Sequence, residues 1–269
     1  MKPIESLTRN EAAGIRYILC DIDDTLTENG FLLPEAFDAL WRLKRAGYSI
    51  IPVTGRPAGW CDMIIRQWPV EAVIGENGAF ALLRTQSGFE VILHSSVAPD
   101  RVKQQLKLIE ERVCNEIPGM KVAKDQPFRW FDLALDFAED PPLFGMETAV
   151  RIKEICEEFG AVAKISSIHV NTWFGNYSKL DMARELLSER FGTDGDKQTA
   201  EVFFCGDSPN DEPMFAFFPL SCGVANIAPF ADVLSSEPRF VTKHTGGRGF
   251  AEAAEIILQI GKNEHHGLT

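Results

Sequence analysis

The stretch YILCDIDDTLT, residues 17–27, decides the architecture. Four apolar residues, Tyr17–Cys20, run directly into the acidic cluster Asp21-Ile22-Asp23-Asp24-Thr25. An apolar run without alternation reads as a strand covered on both faces, and the abrupt change of chemistry marks its exit. The same event recurs twice. SIIPV (49–53) gives way to TGRP (54–57), and VFFC (202–205) gives way to GDSPND (206–211). Between these runs lie helical patterns, such as PEAFDALWRLKRA (34–46) with Pro34 at its start and Gly47 beyond its end. Residues 57–67 predict a second helix and 72–74 a short third strand. Strands alternating with helices predict an α/β fold, a doubly wound parallel sheet. Ligands of such sheets bind beyond the carboxyl ends of the strands, so the three polar exits share one site.

From about residue 86 the rhythm changes. Residues 99–116 predict a helix, 130–137 a half-buried strand, 147–159 a helix, and 161–165 with 168–171 a strand pair around Ser166-Ser167. After Tyr177 the first rhythm returns, with helices at 180–190, 209–217 and 249–260 and strands at 202–205, 220–224 and 240–241. The organisation expected is a core domain made of residues 1–85 and 177–269, interrupted by an inserted α+β cap domain at 86–176.

The chain has 269 residues, 45% of them hydrophobic and 25% charged, the mixture of a soluble globular protein. Its formal net charge of −12 argues against nucleic acid as a partner, because such binders present a basic face. The same charge favours solubility without selecting an oligomeric state. Six scattered cysteines without a C-x-x-C pair fit a reducing, cytoplasmic setting. The N-terminus lacks the apolar segment of a secretion signal. The uncharged stretch 213–231 is broken by three prolines, so no membrane span is expected.

Asp21 and Asp23 are spaced i, i+2, which in extended geometry sends both carboxylates to one side. With Asp207 and Asp211 they make four acids, a set suited to a hard divalent cation, most plausibly Mg²⁺. A metal-facing aspartate can attack phosphorus, a Thr54 hydroxyl can bind a phosphate oxygen, and Lys179 can neutralise its charge. Each piece alone has a plain structural meaning: a turn, a helix cap or a solvated charge. All of them in order, each at a strand exit or helix start, favour chemistry. Arg56 stands close enough to Thr54 to meet a phosphate or to form a salt bridge. His169 and Asn171 share a strand face with Trp173, suiting them equally to sugar binding or to a solvated sheet face. Trp41, Trp60, Trp68 and the Phe-rich segment 215–218 read as core.

The series DxDDT, Thr54, Lys179 and GDxxND resembles the haloacid dehalogenase superfamily of aspartate-nucleophile phosphatases, over about two-thirds of the chain. The insertion between Thr54 and Lys179 is similar to the type II cap. ENGA at 76–79 resembles the Cof-like, type IIB branch, which includes phosphatases for sucrose-phosphate and mannosyl-phosphoglycerate. The resemblance implies that Asp21 is the nucleophile, that Asp23 is the general acid and then base, and that Thr54 and Lys179 bind phosphate. It implies Mg²⁺ ligands at Asp21, the backbone carbonyl of Asp23, and Asp207, supported by Asp211 and Asn210, and it draws Asn77 into substrate binding. The function implied is Mg²⁺-dependent hydrolysis of a small phosphorylated metabolite, such as a sugar phosphate, through an aspartyl-phosphate. A phosphomutase using the same intermediate and a phospho-acceptor signalling domain are the alternatives. SKLDM departs from the Lys-Gly of many relatives, a change confined to helix packing.

Overall fold

The computed structural model describes residues 1–97, 99–166 and 168–261. The first third runs β1 (Lys2–Pro3), α1 (Arg9–Ala13), β2 (Tyr17–Cys20), β3 (Thr27–Glu28), β4 (Phe31–Leu32), α2 (Pro34–Arg45) and β5 (Ser49–Pro52). It continues through α3 (Ala58–Gln67), β6 (Ala72–Gly75), β7 (Phe80–Thr85) and β8 (Gly88–Leu93). The middle contains α4 (Pro99–Glu116), β9 (Lys121–Val122), β10 (Asp132–Asp136), α5 (Met146–Glu158), β11 (Val162–Ile165) and β12 (His169–Trp173). The last third is α6 (Lys179–Phe191), α7 (Gly195–Glu201), β13 (Val202–Gly206), α8 (Glu212–Phe217), β14 (Leu220–Gly223), β15 (Phe240–Val241) and α9 (Gly246–Gly261).

Six parallel strands form the central sheet in the order β1-β15-β14-β13-β2-β5. The two strands that end in acids are neighbours, with Tyr17 opposite Val202 and Cys20 opposite Cys205. Period-two geometry sorts β2 between two cores. Ile18 and Cys20 join α1, α2, α3 and α9, whereas Tyr17 and Leu19 join α6 and α8. Helices therefore cover both faces, as the unalternating apolar runs require. Burying each aliphatic side chain of these strands contributes about 2 kcal/mol. That burial is what holds the strand exits in place.

A parallel bridge from Val53 to Ile74 carries the sheet on to the antiparallel strands β6-β7-β8. The boundary expected at residues 85/86 cuts the turn of the β7–β8 hairpin. We place the insertion after Leu93 instead, where no strand pair is severed. The inserted unit holds a second, antiparallel sheet in the order β11-β12-β10-β9. Leu133, Leu135 and Val170 face α4 and α5. The other face presents Asp132, Asp136, His169, Asn171 and Trp173, all buried.

The larger elements occur close to their expected bounds. The β3–β4 and β7–β8 hairpins and α7 were not expected. The strand expected at 130–137 is shorter, because Trp130 and Phe131 bond elsewhere, as described below. Trp68 is buried, as are Phe215 and Phe218, but Trp41 and Trp60 are 39% and 37% exposed and are not core. Both rings instead lie under arginines, Arg45 and Arg56. Ser167, expected in the β11–β12 turn, lies outside the described residues. No described helix is long and apolar enough to cross a membrane.

Candidate active site

Asp21 is the first residue beyond β2, and its N–H donates to Cys205 O at 2.9 Å, which pins it beside the exit of β13. The chain then turns tightly. The amides of Thr25, Leu26 and Thr27 all donate to Ile22 O, and Asp24 takes φ +56°. Lys179 opens α6, whose N-terminus is capped by the Ser178 hydroxyl. Its Nζ lies 3.0 Å from Asp21 Oδ1 and 2.9 Å from Asp211 Oδ1. Asp207 follows β13. Its Oδ1 accepts from Thr25 Oγ1 at 3.0 Å, while its N–H donates to Asp211 Oδ2 at 3.1 Å. Only glycine fits at position 206, since an added Cβ would lie 2.5 Å from Asp211 Oδ2.

This cluster is shut away from water: Asp21, Lys179, Asp207 and Asp211 are 5%, 6%, 7% and 0% exposed. Three carboxylates and one ammonium leave −3 + 1 = −2 when all are ionised. Burial pushes the Asp21 carboxyl up to about 7, against the pull of Lys179, with Asp211 and Asp23 adding to the rise. Burial likewise raises Asp207, helped by Asp211 and Asp21. Lys179 is held charged: burial opposes its charge, but Asp21 and Asp211 outweigh it. One oxygen from each of Asp21, Asp207 and Asp211 lies within 4.8 Å of the others. A hard divalent cation among these oxygens would cancel the surplus charge, so the donor set fits Mg²⁺. Asp211 is the most committed of the three, with one oxygen on Lys179 and the other on Asp207 N–H. Asn210 is turned toward Ser208, whose hydroxyl donates to its Oδ1 at 2.8 Å.

Thr54 is fully buried beside the exit of β5, and its Oγ1 accepts from Arg56 N–H at 3.0 Å. Asp23 stands at the mouth of the cluster. Arg56 grips both of its carboxylate oxygens at 2.7–3.0 Å while stacking 4.3 Å over Trp60. The structure thus brings Asp21, Lys179, Asp207 and Asp211 into direct contact and pairs Asp23 with Arg56.

Residues 18–118 match the family described as haloacid dehalogenase-like hydrolase. The fold agrees with a protein from Thermoplasma acidophilum, with a TM-score of 0.71 at 19% identity over 91% of this chain and 99% of that one. It is also similar to the sucrose-phosphatase of Synechocystis, solved with sucrose and phosphate, with a TM-score of 0.63 at 15% identity over 91% and 98%. The subclass IIB sugar phosphatase BT4131 gives 0.62 at 15% identity over 89% and 98%. The match to the haloacid dehalogenase-like hydrolase family is thus confined to residues 18–118, and the fold likeness extends over about nine-tenths of the chain. No curated protein matches it in sequence.

Three residues outside the inserted unit that support the site escaped the sequence reading. Thr25 and Asn226 both orient Asp207, and Asn226 Nδ2 also donates to Asp24 O at 3.0 Å. Asn226 follows β14, so reading a fourth strand exit would have found it. Glu76 is wholly buried and accepts N–H bonds from the inserted unit. Burial, then Asp132, push its carboxyl up to about 8. Asn77 packs on Gly55, and its buried Nδ2 has no hydrogen-bond partner among the described residues. His169 and Asn171 do share a face, but both are engaged within the inserted unit. His169 Nε2 lies 2.8 Å from Glu139 Oε2, and Asn171 Nδ2 donates to Asp132 Oδ2 at 3.3 Å.

Proposed function

We propose that this hydrolase cleaves small phosphomonoesters through an aspartyl-phosphate on Asp21. The observation that carries the reading is the contrast between the two aspartates of one turn. Asp21 sits inside the buried cluster against Lys179, whereas Asp23 lies outside it, paired with the Arg56 guanidinium. Asp21, the Asp23 carbonyl and Asp207 would hold Mg²⁺, with Asp211 and Asn210 behind them. When bound, the ion keeps the carboxylates ionised and offsets charge on the phosphoryl oxygens.

An Asp21 carboxylate oxygen attacks phosphorus, and the bond from phosphorus to the ester oxygen breaks. Asp23 gives its proton to the departing alkoxide, yielding the alcohol. Asp23 then takes a proton from water as that water's oxygen attacks the aspartyl-phosphate, releasing phosphate and restoring Asp21. Lys179 and the Thr54 hydroxyl hold the phosphoryl oxygens throughout. Both Asp23 oxygens are occupied by Arg56 in the free protein. An incoming phosphate is the anion that draws the guanidinium away and frees the acid.

We assign the substrate to phosphorylated sugars or similar small metabolites. Two fold relatives named for sugar-phosphate hydrolysis support this, and so does an inserted unit that bonds through Arg129 and Trp130 to Gly55 and Glu76 beside the site. Six free cysteines, five of them buried, support a cytoplasmic setting. The test is phosphate release from a panel of sugar phosphates and p-nitrophenyl phosphate, with Mg²⁺ or EDTA, beside Asp21→Asn. Metal-dependent release that the variant lacks is expected. Isomerised sugar with its phosphate retained would replace the reading with a mutase, and a phospho-aspartate persisting for many minutes would replace it with signalling.

A further inference from the structure

ENG occurs twice in the chain, at 28–30 and 76–78, and the two glutamates differ in burial. Glu28 is partly exposed, while Glu76 is fully buried. A carboxylate buried in a turn must be matched by donors. Glu76 Oε1 accepts from Ala58 N–H at 3.1 Å and Trp130 N–H at 2.8 Å. Its Oε2 accepts from Phe131 N–H at 2.6 Å and Asp132 N–H at 3.2 Å. One donor opens α3 in the core; the other three precede or begin β10 in the inserted unit.

The backbone of the same turn reaches the two phosphate-side residues. Glu76 N–H donates to Arg56 O and Asn77 N–H to Thr54 O, each at 3.1 Å. Gly78, at φ +106°, lies so close to the chain before α6 that an added Cβ would sit 2.1 Å from Ser178 O. Glu76 and Asn77, with side chains, take φ +44° and +57°, a left-handed geometry that costs about 1 kcal/mol or more per residue. A second strut lies alongside. Arg129 Nη1, buried in the inserted unit, donates to Gly55 O at 3.0 Å and to both oxygens of Asp132.

We propose that Glu76 is a positioning residue that locks the inserted unit to the Thr54–Ala58 loop, so that the two move as one body and cap placement sets the geometry of Thr54 and Arg56. A cap swinging freely on its two linkers would have to break three bonds to one buried carboxylate. The kinetic arm of the test rests on the phosphatase reading; the exchange arm does not.

The experiment is amide hydrogen exchange on the full chain, wild type against Glu76→Gln, together with p-nitrophenyl phosphate kinetics. The glutamine side chain presents an NH₂ where N–H donors point, so part of the lock is lost. Exchange in peptides covering 54–60 and 128–134 is expected to rise together by about tenfold, with β13 unchanged. KM for p-nitrophenyl phosphate is expected to rise by about tenfold while kcat changes less. Arg129→Lys cuts the second strut and is expected to shift both segments in the same direction by less, which decides the matter if Glu76→Gln does not fold. Loosening of either segment while the other keeps its wild-type rate would overturn the proposal. Absence of any phosphomonoester turnover would count against the function, and the exchange result would still decide the lock.

Discussion

Asparagine at position 21 is expected to remove turnover and yet make the metal-free protein more stable at alkaline pH. The Asp21 carboxyl is raised from 3.8 to about 7, chiefly by burial. A carboxyl raised on folding contributes stability that is complete below pH 3.8 and is lost as the pH climbs through about 7. The full rise corresponds to about 4 kcal/mol at pH 8, and sharing of protons among Asp21, Asp207 and Asp211 reduces what one substitution recovers to about 2 kcal/mol. Asparagine keeps an oxygen acceptor for Lys179 and removes the buried charge. For a chain of this length the gain is about 4 °C in melting temperature. The assay is thermal and urea unfolding of both proteins in EDTA at pH 5 and pH 8. The variant should melt above the wild type at pH 8, with the gap shrinking at pH 5. An Asp21→Asn protein that melts at or below the wild type in EDTA at pH 8 would refute the reasoning.

Mg²⁺ should raise the wild-type melting temperature more at pH 8 than at pH 5, since its ligands must first lose their protons; equal gains at both pH values would contradict the assigned ligands. Lys179→Met leaves Asp21 and Asp211 buried without their cation and should cost about 3–5 kcal/mol by urea unfolding at pH 8. The loss should be smaller at pH 5, where Asp21 takes up a proton. Gly206→Ala drives a methyl against Asp211 and should abolish metal-dependent phosphate release; full activity would show that Asp211 is free to shift. Gly78→Ala meets the Ser178 carbonyl and an unfavourable φ together, so a loss of about 2–4 kcal/mol is expected in the same unfolding assay.

Most of the site was legible because the sheet is buried on both faces. Each strand is uniformly apolar, so the first polar residue after it stands out, and Asp21, Thr54 and Asp207 were found by that rule alone. Asn226 obeys it too, but its strand lies in the uncharged stretch 213–231, where the absence of charge drew attention to membranes instead of exits. The β3–β4 hairpin was also written in the sequence. Asn29-Gly30, both at positive φ, is the dipeptide that a two-residue turn demands. The Asp-rich run before it obscured that turn. Glu76 is different in kind. Nothing local separates it from Glu28, and its burial arises only when a strand some fifty residues further on lays its amides over the turn. Trp60 was misplaced because aromatic spacing on a helix does not distinguish a core ring from one stacked under an arginine.

The pairing of β2 with β13 has a consequence for how the chain folds in time. Tyr17 and Val202 are direct neighbours in the middle of the sheet, yet 202 − 17 = 185 residues separate them along the backbone. The loop that must close contains the whole inserted unit, and parallel pairings of such long range are slow to form. Doubling a flexible loop costs only about 0.6 kcal/mol, so an insertion that folds early on its own local contacts shortens the effective search at little expense. Refolding should therefore be biphasic: the antiparallel sheet forms first, and the parallel sheet forms later around a strand pair that cannot register until residue 205 is in place.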